Sequence, residues 1–151
     1  MDYGPRTTDH GLLRLKFGVR SDFKYLPFLT RLFGSLRFPN AFALTQILVE
    51  AFDNAVVHGN NRNKAKWITI DVLSSKSRTK LRVADDGPGI RKKYFSRRPK
   101  LRQAGGRGLT LIQAYANRVS SRKDKGRHYL SITLRNKVLG PWSVVRGPKN
   151  E

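Results

Sequence analysis

Between Pro39-Asn40 and Gly59 the residues Phe42, Leu44, Ile47, Leu48, Ala51, Phe52, Ala55 and Val56 recur at helical spacing. The pattern predicts a long helix ending before Gly59, one side of which must be covered by other elements. Along the same segment Glu50, Asn54 and His58 are spaced by four. A carboxylate, a carboxamide and an imidazole can therefore line one polar stripe on successive turns. Glu50 is the only glutamate before the final residue, in a chain with 31 Lys and Arg, 10 Asp and Glu and a formal net charge of +21. A surface ion pair is the plain reading of such an acid, and a working group at a ligand site is the sharper one.

The segments on either side supply the rest of the fold. Leu13, Leu15, Phe17 and Val19 alternate with polar residues or glycine and predict a half-buried strand over 12–19. Ser21 or Asp22 can cap a helix over 22–36, with Pro27 in its first turns. Trp67 to Val72 and Thr79 to Val83 read as strands joined by a turn at 74–78. A helix over 107–117 follows, then a hairpin pairing 119–122 with 129–134 around Asp124-Lys125-Gly126. The order is strand, two helices, two strands, long loop, helix, two strands. It predicts an α+β fold, a two-layer sandwich with helices on one face of a mostly antiparallel sheet. The expected division is a flexible amino terminus over 1–10, one domain over 11–137 and a tail over 138–151.

Composition narrows the function. With no cysteine, thiolate metal sites, disulfides and a cysteine nucleophile are excluded. No apolar run reaches the roughly 18 residues of a membrane span, so a soluble cytoplasmic protein is expected. The charge favours an anionic partner, whether nucleotide phosphate, nucleic acid or acidic protein, or serves solubility alone. Tyr94 and Phe95 lie among Arg91, Lys93, Arg97 and Arg98, where they can act as stacking groups for nucleic acid.

Two glycine-bearing segments complete the pattern. Asp85-Asp86-Gly87-Pro88-Gly89 ends a strand with an acid and two glycines, which lets the backbone turn sharply near a ligand; alone it reads more readily as a plain turn. Gly105-Gly106-Arg107-Gly108-Leu109 opens a helix whose free N–H groups can meet phosphate, although an ordinary helix start reads equally well. It does not follow the GxxxxGK[ST] phosphate loop. Between them, 87–106 reads as a long basic lid.

Taken in order, the acid-Asn helix, the DxGxG turn and the lid running into a glycine-led helix resemble the GHKL (Bergerat-fold) ATPase superfamily, shared by gyrase and histidine kinases. Within it the run Glu50-x-x-x-Asn54-Ala55-x-x-His58-Gly59 is similar to the first box of bacterial anti-sigma factor serine/threonine kinases. The resemblance spans roughly 11–136. It implies ATP and Mg2+ as cofactors, Asn54 as the magnesium ligand and Glu50 as the catalytic base. Asp85 would hold the adenine amine, Gly87 and Gly89 would shape the pocket, and Gly106, Arg107, Gly108 and Leu109 would meet the nucleotide at the last helix.

The implied function is an ATP-dependent protein kinase acting on a STAS-domain anti-anti-sigma protein, with a sigma factor as a further partner and a homodimer as one assembly. The same motifs fit a nucleotide-gated binding module without turnover, and the charge leaves a nucleic-acid-binding protein as a third reading. No separate phosphoacceptor histidine domain is expected, since His10 lies in the terminus and His128 in a strand.

Overall fold

A computed structural model describes residues 12–96 and 107–136. The expected amino-terminal segment, the carboxy-terminal tail, Gly106, the lid residues 97–102 and the side chain of Arg107 lie outside the described residues.

Strand β1 (Leu13–Arg20) leads into a 3₁₀ turn (Phe23–Tyr25) and helix α1 (Leu26–Ser35). Asp22 is the cap, its Oδ1 accepting the Lys24 N–H at 3.0 Å, so the expected helix over 22–36 begins as a tighter turn. Pro27 sits in the first turn of α1, where its missing N–H breaks no helical bond. Helix α2 (Ala41–Asn54) continues into a π-helical turn, Ala55–Gly59. Strands β2 (Trp67–Ser74) and β3 (Arg78–Asp85) form the first hairpin. A short helix α3 (Lys93–Ser96), helix α4 (Arg107–Tyr115), and strands β4 (Arg118–Asp124) and β5 (Arg127–Arg135) complete the described chain.

The five strands run in the order β1-β2-β3-β5-β4, every neighbouring pair antiparallel. The hairpin β4–β5 turns through Lys125 and Gly126, both at positive φ (49° and 78°), which suits the twist of a two-residue turn. Period-two alternation gives the sheet two unlike faces. Ile68, Ile70 and Val72 of β2, Leu81 and Val83 of β3, and Leu130, Ile132 and Leu134 of β5 point into the core. Against them pack Leu29 and Phe33 of α1, Leu44, Ile47, Leu48, Ala51 and Phe52 of α2, and Ile112 of α4. This is the two-layer α+β sandwich that the element order predicts.

Two readings of 87–106 need correction. The segment is not all loop, because α3 interrupts it. Phe95 is half-buried and packs against the core, so an apolar side chain read as a stacking group is occupied by folding; Tyr94 beside it is exposed. Among the described residues no helix is long and apolar enough to cross a membrane.

Candidate functional site

Helix α2 sends Glu50 and Asn54 toward the amino-terminal turn of α4. The approach is close at Gly108: a Cβ built there would lie 2.7 Å from Glu50 Oε2 and 3.5 Å from both Asn54 Nδ2 and Asn54 Oδ1. Only a residue without a side chain leaves the carboxylate, the carboxamide and the helix start in this arrangement. The positive dipole end of α4 thus sits beside an oxygen donor and a carboxylate.

Glu50 makes no ion pair among the described residues. Partial burial pushes its carboxyl above the ordinary value, and the charge of Asp53 pushes it further in the same direction. Both causes disfavour the ionised form and so strengthen it as a base.

The four-residue register does not continue to His58. In the turn Ala55–Gly59 the bonding steps to i−5, with Asn60 N–H donating to Ala55 C=O at 2.7 Å, and His58 is exposed. Such π turns are often found at functional sites. Here the turn delivers Gly59 and Asn60 to the end of β3.

At that end Asp85 is buried, with Oδ1 accepting the Gly87 N–H at 2.8 Å and Oδ2 lying 3.2 Å from His128 Nδ1. Each carboxylate oxygen accepts more than one hydrogen bond, so Asp85 keeps capacity for a ligand amine. Glycines make this crowding feasible. A Cβ on Gly59 would overlap the Asp85 carboxylate carbon, and one on Gly87 would overlap the Gly59 backbone. Gly89 has φ +87° and would place a Cβ 3.1 Å from His128 Cδ2.

The structure therefore gathers the expected residues into two clusters, Glu50–Asn54–Gly108 and Asp85–Gly87–Gly89, joined through the end of α2. Leu109 follows in the first turn of α4, half-buried. Gly106 lies outside the described residues, and for Arg107 only the backbone is described.

Two residues of this site carry no role in the sequence reading. Asn60 is fully buried; its Oδ1 accepts the Asp86 N–H at 2.9 Å and its Nδ2 donates to Trp67 C=O at 3.2 Å, pinning the turn after β3 to the end of the α2 segment. His128, also buried, bridges Asp85 to Ser121, whose Oγ lies 2.6 Å from His128 Nε2. The signal for His128 is its place in the inward alternation with Leu130, Ile132 and Leu134.

The donor chemistry fits a magnesium nucleotide. Magnesium takes hard oxygen donors, keeps several waters and shares the phosphates of its nucleotide, so one protein oxygen such as that of Asn54 is sufficient.

Residues 32–134 match the family model described as a histidine kinase-like ATPase domain. The chain is 30% identical over 79 residues to the anti-sigma F factor of Bacillus cytotoxicus, an alignment covering 48% of this chain and 53% of the relative. The anti-sigma F factor of Bacillus thuringiensis matches with the same identity and coverage. The chain thus spans about half the length of the curated relatives it matches. Among solved structures, the Acinetobacter baumannii histidine kinase AdeS aligns at a TM-score of 0.48 and 15% identity, over 82% of this chain and 68% of that one.

Proposed function

The chain belongs to the histidine kinase-like ATPase domain family, and from that premise we propose that it binds Mg-ATP and transfers the γ-phosphate to a serine or threonine hydroxyl of a small partner protein. The observation that supports the reading is the close approach of Glu50 and Asn54 to Gly108, which brings a carboxylate and a carboxamide against one helix start. Phosphoryl transfer asks chiefly for positioning and charge neutralisation, and these are what such a grouping supplies.

Asp85 accepts the adenine amine, while Gly87 and Gly89 allow the backbone close to the ring. Gly106, Arg107, Gly108 and Leu109 present backbone to the phosphates at the start of α4. Asn54 would hold the magnesium ion, which offsets phosphate charge. Glu50 takes the proton of the acceptor hydroxyl as its oxygen bonds to the γ-phosphorus; the bond to the bridging oxygen breaks and ADP leaves. The relatives' name, anti-sigma F factor, supports a sigma factor as the sequestered partner. The resemblance of the first box supports a STAS-type anti-anti-sigma protein as phosphoacceptor.

The test is transfer of labelled γ-phosphate from ATP to a STAS-type partner by the full chain. Glu50→Gln is expected to abolish transfer while Mg-ATP binding by calorimetry persists. Transfer that survives Glu50→Gln unchanged refutes the assignment of the base. Mg-ATP binding with no transfer by the wild-type chain refutes the kinase reading, and partner affinity that then changes with nucleotide favours the nucleotide-gated binding module.

A further inference from the structure

The sheet face turned away from the helices is a separate feature. It forms a groove of about 650 Å³ lined by seven Lys or Arg and two Asp, with hydroxyl residues between them. The cross-strand register arranges these side chains in rows. On β5, Tyr129, Ser131 and Thr133 form a floor without formal charge. Thr133 stands between Lys80 of β3 and Arg118 of β4, and Ser131 between Arg82 and Ser120. Tyr129 stands between Ala84 and Arg122.

The result is a trough with a basic wall on each side. Its walls are two strand spacings apart, about 9.5 Å. Along β3, Arg78, Lys80 and Arg82 repeat at about 6.8 Å, the rise of about two stacked nucleotides.

Internal pairing uses only part of this charge. Arg82 bonds Asp71 at 2.9 Å, Arg122 meets Asp124 at 3.3 Å and Arg127 meets Asp86 at 3.5 Å. Lys16, Arg78, Lys80 and Arg118 pair with no carboxylate among the described residues. Four cations facing one groove with no acid to answer them leave a site for an external polyanion.

We propose that this trough binds single-stranded nucleic acid, its walls contacting phosphates and its floor meeting sugars and bases. The walls, about 9.5 Å apart, bring cations to both sides of a single floor strand, an arrangement that suits one chain of phosphates with its bases over Tyr129. Protein interfaces are centred on buried apolar anchors, and the floor has none apart from Tyr129. Tyr129 is half-buried, with the Arg82 guanidinium 5.4 Å from its ring centroid, and together they make a cationic and aromatic platform for a base. Hydroxyls at Ser131, Thr133 and Ser120 add donors for phosphate or sugar oxygens. The trough lies on the face opposite Glu50, so its occupation does not depend on the kinase reading.

Fluorescence anisotropy of a labelled oligothymidylate of about 16 nucleotides, titrated with the nucleotide-free full chain from about 50 to about 200 mM salt, tests this. Lys80→Glu with Arg118→Glu is expected to weaken binding at least about ten-fold and to flatten the log–log salt slope by about 1.4, two contacts at about 0.7 each. Arg31→Glu with Arg37→Glu changes net charge equally but lies off the trough, and is expected to weaken binding less than about three-fold. Tyr129→Ala is expected to weaken it about five-fold or more. An unchanged circular dichroism spectrum and thermal melt report that each variant folds; should the Glu pair fail that check, Lys80→Gln with Arg118→Gln, which loses the same two contacts, carries the same slope change of about 1.4. Equal losses from the trough and control pairs overturn the proposal. So does a duplex that binds as tightly as the single strand, or polyglutamate that displaces the oligonucleotide at equal charge, which would mark an acidic protein as the partner.

Discussion

Gly108→Ala separates the stability of this fold from its chemistry, because the substitution acts on the two with opposite sign. The new Cβ sits 2.7 Å from Glu50 Oε2, about 0.7 Å inside the 3.4 Å at which ordinary contact begins, whereas the Asn54 atoms at 3.5 Å already lie at ordinary distance. The group in the way is the end of a flexible side chain, so the carboxylate yields and the backbone stays. Replacing Gly by Ala in a helix favours the helix by up to about 1 kcal/mol, less in the first turn. The melting temperature is therefore expected to hold or to rise by about 2–4 °C. A misplacement of 1 Å at a reacting group costs about 100-fold, so a 0.7 Å shift of the base is expected to slow γ-phosphate transfer by about 10- to 100-fold. Mg-ATP affinity is expected to stay within about three-fold, since Asn54 is not displaced. The paired assay is initial transfer rate at saturating Mg-ATP and a thermal melt on the same preparation. An unchanged rate refutes the placement of Glu50 against Gly108 during catalysis, and a melting temperature lowered by more than a few degrees refutes the claim that the side chain yields.

Asp53→Asn removes one of the two influences that raise the Glu50 carboxyl, leaving the larger one, burial. The Glu50 value falls toward normal, and because the ionised form is the base, the acid limb of the pH–rate profile is expected to move to lower pH; a move to higher pH contradicts the electrostatics. Asn60→Ala strips the Asp86 N–H and the Trp67 carbonyl of their partner at a fully buried position. It is expected to cost about 2–4 kcal/mol in a urea melt, and a loss under about 1 kcal/mol would mean that the turn after β3 is held by other contacts.

The helix α2 and strands β1, β2, β3 and β5 were legible because each has apolar residues at a clear period with which tertiary packing agrees, whereas β4, with Val119 as its one apolar residue, was legible through the turn Asp124-Lys125-Gly126 that pairs it with β5. What the sequence could not show are arrangements that depend on distant pairing. The turn Ala55–Gly59 has the composition of a continuing α-helix, and its π geometry accompanies a tie between Asn60 and Asp86 across 26 residues. Gly59-Asn60 after a helix reads as an ordinary stop signal, which hides that tie. His128 reads as one inward residue of a strand until β3 and β5 are paired, which sets it opposite Asp85. Phe95 fails for the converse reason: its charged neighbours suggest an exposed segment, and the core claims the ring. The trough has the same origin, since Lys80 and Arg118 flank Thr133 only once the strand order is β3-β5-β4.

Among the described residues Glu50 pairs with no cation, as a base requires and a structural acid does not. A chain with 31 Lys and Arg can readily supply a partner for one glutamate, and Asp22, Asp71, Asp86 and Asp124 each have one. A guanidinium beside Glu50 would lower its pKa and tie up its oxygens, which weakens it as a proton acceptor. Partial burial and the nearby Asp53 act the other way. The cost is a carboxylate that destabilises the ionised folded state, and its contribution to stability is largest at low pH and is lost as pH rises through its raised value. A fold optimised for stability alone would place Gln or an ion pair here. The absence of both among the described residues, beside a glycine that no other residue can replace without moving the carboxylate, is the pattern expected where position and basicity matter more than stability.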